Sequence, residues 1–151
     1  MSPRIDPRTL SHIAHLDGQV HRQRSAIAAG RRREADLEQL RHEYAAEAMG
    51  KKNRVNELEE ANKALEKEID EINRQAKLHQ NRLNEIQDTR EWRALNDEVR
   101  YLKRQVEGKE ETVLANMELL EKARAEFEEA NVEFEAKSKE VREEIERIQR
   151  E

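Results

Sequence analysis

The sequence contains no cysteine, so this chain of 151 residues has neither a disulfide bond nor a thiolate metal site. Aromatic residues make up only 3% of it, and hydrophobic residues only 35%. No apolar run approaches the roughly 20 residues needed to span a bilayer. The amino terminus also lacks the apolar segment of a signal peptide. We therefore expect a cytoplasmic protein with no membrane association.

What the sequence does have is charge, which accounts for 42% of its residues. This composition is too poor in apolar residues for a broad core, but it suits long helices that each bury a narrow stripe. Both signs of charge are interleaved with periodic Leu, Ile and Val, which argues against plain disorder. The net charge of −5 gives no general indication of nucleic-acid binding.

Apolar residues recur in alternating steps of three and four on both sides of Thr89, which is the heptad pattern of a coiled coil. We call these positions the seam. Before Thr89 they are Val55, Leu58, Asn62, Leu65, Ile69, Ile72, Ala76, His79, Leu83 and Ile86. After Thr89 they are Trp92, Leu95, Val99, Leu102, Val106, Lys109, Val113, Asn116, Leu120 and Ala123.

The two halves of the seam are mirror images, because the residue numbers of each matching pair add up to 178. This symmetry predicts an all-α fold, a long antiparallel two-helix coiled-coil hairpin with its turn near residues 86–91. The alternative is one continuous helix in a purely structural, self-dimerising coiled coil. The mirror also pairs Asn62 with Asn116, and such buried polar residues fix the register of a coiled coil.

The predicted turn has a capping signal but no Gly or Pro. Asp88 is expected to cap the second helix, with Glu91 reaching back as in a capping box. Ile86 and Trp92 would then form the first apolar layer. The arms of the hairpin would run over residues 31–87 and 89–151.

Residues 1–30 are interpreted as a helical extension of this hairpin. Asp6 and Pro7 are a favourable helix start, and Gly30 is a candidate kink or helix end. The mirror leaves residues 7–26 without a partner in the chain, although they carry apolar residues. Either residues 7–27 pair with another molecule, as in a homodimer, or the chain is a fragment. We favour the fragment, because the sequence stops within a helical pattern.

No catalytic constellation is apparent, and we expect neither an enzyme nor a bound cofactor or metal. His12 and His15 are spaced to face one way, but no further ligand completes a metal site. His79 lies on the seam and is interpreted as a tolerated core histidine. Asp and Glu are spread over both helices without a pocket that would raise a pKa.

Two groups of residues are candidate contacts. At the predicted tip, Trp92 is a residue type enriched at binding hot spots, and Arg90 and Arg93 beside it are expected to be exposed. Near the amino terminus, residues 1–33 carry seven Arg against two Asp. This basic group would contact RNA or, as we favour, acidic side chains of a helical partner. Its candidate residues are Arg22, Arg24, Arg31, Arg32 and Arg33.

The stretch LNEIQDTREWRALNDEVRYLK, residues 83–103, resembles the tip of a bacterial family in which a long helical hairpin precedes a C4-type zinc ribbon. The opening LSHIAHLDGQV, residues 10–20, is similar to the start of that family. The matching tip residues are Leu83, Asp88, Arg90, Glu91, Trp92, Ala94, Leu95, Glu98 and Val99.

The resemblance implies a role in flagellar or type III secretion assembly, or binding to an alternative sigma factor. RNA binding is also attributed to the family. Because this chain has no cysteine, functions that depend on the zinc ribbon cannot be assigned to it. We therefore predict a non-enzymatic protein-interaction scaffold or adaptor, with an RNA-binding helical arm or a self-dimerising coiled coil as the alternatives.

Overall fold

A computed structural model describes residues 4–150 of the chain. Helix α1 spans Pro7–Leu83 and has 77 residues, and helix α2 spans Thr89–Arg150 and has 62. There is no strand between residues 4 and 150. The two helices pack against each other in antiparallel orientation, which confirms the all-α helical hairpin. Residues 1–3 and residue 151, the outermost parts of the predicted segments, lie outside the described residues.

The start of α1 follows the predicted capping pattern. The Asp6 carboxylate accepts a hydrogen bond from the Arg8 amide at 3.2 Å, and the Asp6 carbonyl accepts one from the Leu10 amide at 3.0 Å. Pro7 occupies the first helical position, where an amide would have no partner within the helix. These two residues therefore fix where α1 begins.

The chain divides into two compact units, and each helix contributes to both. We call Glu47–Asn131 the tip unit, because it contains the connection between the helices. The terminal unit comprises the described residues 4–46 and 132–150. Each unit is an antiparallel helix pair with its own buried seam.

The tip unit is held together by the predicted seam. Its best-packed cluster joins Val55 and Leu58 of α1 to Leu120 and Ala123 of α2, with Phe127 packed against it. Nearly every other seam position in this unit is buried or half-buried. The buried apolar residues outside the cluster are Ala48, Ala76, Leu95, Val99, Leu102, Val106, Val113 and Ala130.

Ion pairs beside the seam show the register of the tip unit. Lys109 Nζ lies 2.8 Å from Glu68 Oε2, and Lys51 Nζ lies 3.4 Å from Glu126 Oε2. In both pairs the residue numbers add up to 177, one less than the predicted mirror value. These side chains are at least partly exposed, so each pair contributes only about 0.2–1 kcal/mol, and they matter chiefly for alignment.

The terminal unit has the same kind of interface. Leu37 and Val141 are buried in it. Arg33 Nη2 lies 3.1 Å from Glu144 Oε1, so the predicted meeting of the basic and acidic runs is seen at this pair. Leu40 lies one heptad step of three residues after Leu37, yet it is 37% exposed. The pattern steps by four twice through Leu40, Tyr44 and Ala48, which turns the apolar stripe away from the partner.

Helix α1 continues through Gly30, so the helix end that we considered there is wrong. A β-carbon added at Gly30 would lie 3.1 Å from Cγ2 of Ile148 on α2. The glycine therefore permits a close approach of the two helices rather than interrupting one of them.

The connection covers residues 84–88, earlier than the predicted tip at 86–91. Helix α1 ends at Leu83, not at residue 87, and α2 begins at Thr89. Helix axes pack 8–10 Å apart, and an arm reaching residue 87 would leave Asp88 alone to span that gap. The Glu85 amide donates to the Arg82 carbonyl at 3.0 Å and closes the last turn.

Asp88 caps α2 as predicted. Its carboxylate accepts from the Arg90 amide at 3.0 Å, and its carbonyl accepts from the Trp92 amide at 2.9 Å. The predicted return contact from Glu91 is not among the hydrogen bonds found for residues 4–150. The carboxylate bonds to the second amide of the helix, so this end has a simple cap rather than a reciprocal capping box.

Truncating the seam should cost far more stability than truncating an exposed leucine. Leu58 is 5% exposed and Leu78 is 60% exposed, although both lie on α1 within the tip unit. We expect Leu58→Ala to lower the free energy of unfolding by about 2–4 kcal/mol. Leu78→Ala should change it by less than about 0.5 kcal/mol. Urea denaturation measures both, and equal losses would contradict the assigned seam.

Glycine-to-alanine changes test the close approach at Gly30. Gly108, also within a helix, has nothing within 4 Å of an added β-carbon. Gly108→Ala should therefore raise the free energy of unfolding by about 0.5–1 kcal/mol through helix propensity. Gly30→Ala should gain less, because its methyl group meets Ile148. In an Ile148→Ala background the two gains in stability should become similar. Thermal denaturation measures both glycine changes in the parent chain and in that background. Equal gains in the parent chain would refute the contact.

Candidate interaction sites

The tip carries the first candidate site, formed by Arg90, Trp92 and Arg93 in the first turns of α2. All three side chains are exposed. The Asp88 cap fixes the backbone from which they project, since it accepts from both the Arg90 and the Trp92 amides. The site therefore stands on a well-defined helix end rather than on a loop.

Among the seam residues of the tip unit, Trp92 has the most exposed side chain. It is 42% exposed, whereas its predicted layer partner Ile86 is half-buried. The apolar layer predicted for Ile86 and Trp92 is therefore only partly shielded from solvent. Ile86 belongs to the connection and not to α1, so the predicted partner of Trp92 is not a helical residue. Much of a large apolar surface is left available at the tip.

Arg90 is placed against the electrostatics of its own helix. The amino-terminal end of a helix carries a partial positive charge, which disfavours a cation there by about 0.3–1 kcal/mol. Arg90 lies two positions after the Asp88 cap, within that first turn. A residue that contributes little to folding at its position is a candidate for binding.

The arginines of the second candidate site all lie on α1 in the terminal unit. Arg22, Arg24, Arg31 and Arg32 are exposed. Arg33 pairs with Glu144 of α2, so part of this basic group is used inside the hairpin. The structure thus brings the group to one helical segment but also shows that a carboxylate can satisfy it.

The same segment carries an exposed apolar stripe. Its members are far less buried than Leu37 on the same helix, at 44–57% against 4% exposed. No described residue of α2 reaches the turns that carry the stripe residues up to Val20, since α2 is described only as far as Arg150 and Ile148 lies beside Gly30. The residues of this stripe are Leu10, Ile13, Leu16, Val20 and Ile27.

The two seam asparagines, which the mirror places opposite each other, are not hydrogen-bonded to each other. Asn62 is buried, and its Nδ2 donates to the Val113 carbonyl at 3.5 Å, while its Oδ1 has no partner. Asn116 is half-buried. A helical carbonyl points toward the residue four positions later, so the Val113 oxygen lies near the layer of Asn116. Asn62 therefore meets backbone before it meets the other amide; its role in setting the register stays a prediction.

The histidines show little sign of chemistry. His79 is half-buried on the seam, with Nε2 3.6 Å from Glu98 Oε1 and Nδ1 unpartnered. His12 and His15 are exposed. Within residues 4–150 there is no group of three or more potential ligands that would hold a metal ion. Neither α1 nor α2, over their described lengths, is apolar enough to cross a membrane.

A surface ion pair on α2 shifts the pKa of one lysine. The hydrogen bond to Glu140, together with the charge of that carboxylate, raises the pKa of the Lys137 ammonium above its ordinary value. Both residues lie one helical turn apart on the surface of α2. This is an ordinary i,i+3 ion pair and marks no catalytic group.

The grooves beside the seam are open to solvent. One of about 370 Å³ is lined by Ile69, Val113 and Leu114, with Glu66, Asp70 and Glu110 at its sides. The other, of about 690 Å³, runs past Asn62 and Met117. Small-molecule sites are usually enclosed clefts with convergent polar groups. The first groove has acidic walls, the second has walls of mixed charge, and neither has such an arrangement.

Comparisons of the chain with protein-family models, curated proteins and solved structures found no match. Function is therefore inferred from the geometry of the tip and of the basic segment.

Replacing Asn62 tests what its buried amide contributes. We expect Asn62→Leu to raise the free energy of unfolding by about 1 kcal/mol, because it removes a buried oxygen that has no partner. Asn116→Leu serves as the matched change on the half-buried side. Since Asn62 bonds to backbone, the effects of the two substitutions should add to within about 0.5 kcal/mol. Urea denaturation of the single and double variants measures this, and strong coupling would restore the direct pairing of the amides.

Proposed function

We propose that this protein is a non-enzymatic cytoplasmic scaffold that binds a protein partner through the tip of its helical hairpin. The observation that carries the proposal is the exposure of Trp92, flanked by Arg90 and Arg93, at the capped start of α2. Tryptophan and arginine are the residue types most enriched at binding hot spots. The partner surface would combine an apolar recess for the indole with carboxylates for the two guanidinium groups.

The hairpin suits this role because its structural work is done elsewhere. Packing and ion pairing between α1 and α2 occupy the seam and its flanks, as at Leu58, Leu120 and the Lys109–Glu68 pair. Trp92 remains 42% exposed, and Arg90 lies at the unfavourable end of the helix dipole. The tip side chains are therefore explained better by recognition than by folding.

The tip sequence also supports a more specific proposal. Because it resembles the hairpin of the bacterial C4-type zinc-ribbon family, we propose as partner a flagellar or type III secretion component, or a sigma factor. Three residues that carry the resemblance, Leu83, Asp88 and Leu95, lie at the end of α1, at the cap of α2 and on the buried seam. This proposal depends on the resemblance, whereas the scaffold role depends on the exposed tip.

The tip is tested by placing a photo-crosslinking amino acid at position 90 in cells and identifying the protein captured. With that partner purified, we expect Trp92→Ala to weaken binding by about 2 kcal/mol or more, roughly thirtyfold. Charge reversal of Arg90 and Arg93 should weaken binding further as salt is lowered, because repulsion replaces attraction. Isothermal titration calorimetry measures each affinity.

Tyr101 provides the matched control, since it is an aromatic residue of the same helix and is 55% exposed. Tyr101→Ala should leave the affinity unchanged. Trp92→Ala should also lower the free energy of unfolding by no more than about 1 kcal/mol, because the ring is only partly covered. A loss of several kcal/mol with no effect on partner affinity would make Trp92 a structural cap and end the proposal.

A further inference from the structure

We propose that the stripe formed by Leu10, Ile13, Leu16, Val20 and Ile27 is a second docking surface, and that it receives an acidic amphipathic helix of a partner protein. All five side chains are 44–57% exposed in the described structure. This surface lies in the terminal unit and uses none of the tip residues, so it is independent of the tip proposal.

The stripe is a continuation of the established interface on the same helix. Alternate steps of three and four residues back from buried Leu37 lead to Gly30, Ile27, Val20 and Leu16, with Glu34 and Gln23 as the polar positions between them. At Gly30 a β-carbon would lie 3.1 Å from Cγ2 of Ile148, so α2 lies close to this position. The exposed residues therefore occupy the side of α1 that packs against a helix only a few turns further along. A second helix is the shape that this heptad-spaced side fits.

Isolated exposed apolar residues need no explanation, but this spacing does. A soluble helix normally places polar residues on its exposed side. Here Ile13, Leu16 and Val20 recur on one side over two helical turns, and each is 44–46% exposed. Other exposed apolar residues, such as Leu78 and Val132, lie off the seam. The stripe is thus an interface-type surface rather than scattered exposure.

The charge around the stripe defines the kind of partner. Residues 4–33 carry seven Arg against two Asp. In the heptad frame of Leu37, the charged positions flanking the seam over residues 16–33 are Arg24, Arg31 and Arg33, against one acidic residue, Asp17. Arg33 shows how such a position is used, because it pairs with Glu144 across the helix interface at 3.1 Å. A partner helix with glutamates beside its own apolar seam would meet Arg24 in the same way.

The same charge argues against a second copy of this chain on the stripe. Pairing two copies of residues 4–33 would bring together two segments that each carry an excess of five positive charges. Nucleic acid would satisfy the arginines but not the apolar side chains, and no aromatic residue is available in residues 4–33 to stack on bases. An acidic amphipathic helix satisfies both features.

The test uses a synthetic three-heptad helix with leucine on its seam and glutamate at the flanking positions, and a matched helix with lysine in place of glutamate. Binding to the full chain is followed by fluorescence anisotropy. We expect the acidic helix to bind and the basic helix to bind at least about tenfold more weakly. The double variant Leu16→Ser, Val20→Ser should lose at least about tenfold in affinity for the acidic helix.

Matched controls separate this surface from general effects. Leu78→Ser and Val132→Ser alter apolar residues off the seam that are more exposed than Leu16 and Val20, and both should leave the affinity unchanged. Arg24→Glu should weaken binding, whereas Arg22→Glu makes the same charge change on the outward side of the helix and should have a smaller effect. Circular dichroism of each variant verifies that the helices are retained.

Three outcomes would overturn the proposal. The first is equal binding of the acidic and basic helices, or no binding of either. The second is a dimer of the parent chain that the Leu16→Ser, Val20→Ser variant converts to monomer in analytical ultracentrifugation. The third is tighter binding of a single-stranded RNA probe that is lost with Arg22→Glu and Arg24→Glu but survives the serine double variant.

Discussion

Each unit of the structure depends on one narrow contact, the strip of apolar side chains along which its segments of α1 and α2 meet. Each helix on its own would expose that strip, and neither has any other surface to bury. At its best-packed point, Val55 and Leu58 lie against Leu120 and Ala123. Ion pairs such as Lys109–Glu68 keep the helices in alignment without adding much stability. The candidate binding surfaces consist of side chains that this strip does not bury.

This division explains where the candidate sites lie. At the tip, the strip ends where α1 ends, at Leu83, and the side chain of Trp92 is 42% exposed. Toward the amino terminus, the strip continues on α1 past the part that described residues of α2 cover, and Leu16 and Val20 are left exposed. Both sites are thus extensions of the same packing pattern beyond its intramolecular partner. Their charges, from Arg90 and Arg93 in one case and Arg24 in the other, set the chemistry that each prefers.

The fold was predictable from the sequence because a coiled-coil seam is defined by the spacing of its apolar side chains. The mirror about Thr89 identified the reversal, and Asp88 identified the start of α2. The end of α1 had no such marker, because no glycine or proline occurs near Leu83 and no residue between 4 and 150 adopts a positive φ. The partner of Asn62 was also missed, since the carbonyl of Val113 is invisible to a comparison of side chains. The sequence predicted that α1 reaches residue 87, whereas it ends at Leu83. That boundary error led to the prediction of a more covered Trp92 than the structure has.

The mirror arrangement also dictates an order of events in folding. Cross-helix contacts join residues 41 positions apart at Lys109–Glu68, 75 apart at Lys51–Glu126 and 111 apart at Arg33–Glu144. Closing a loop costs entropy that grows with its length, by about 0.6 kcal/mol for each doubling. Once a contact near the turn exists, the next one closes only a few further residues. We therefore expect the hairpin to zip from the turn outward, with the five residues between Leu83 and Thr89 setting the pace for the two long helices on either side.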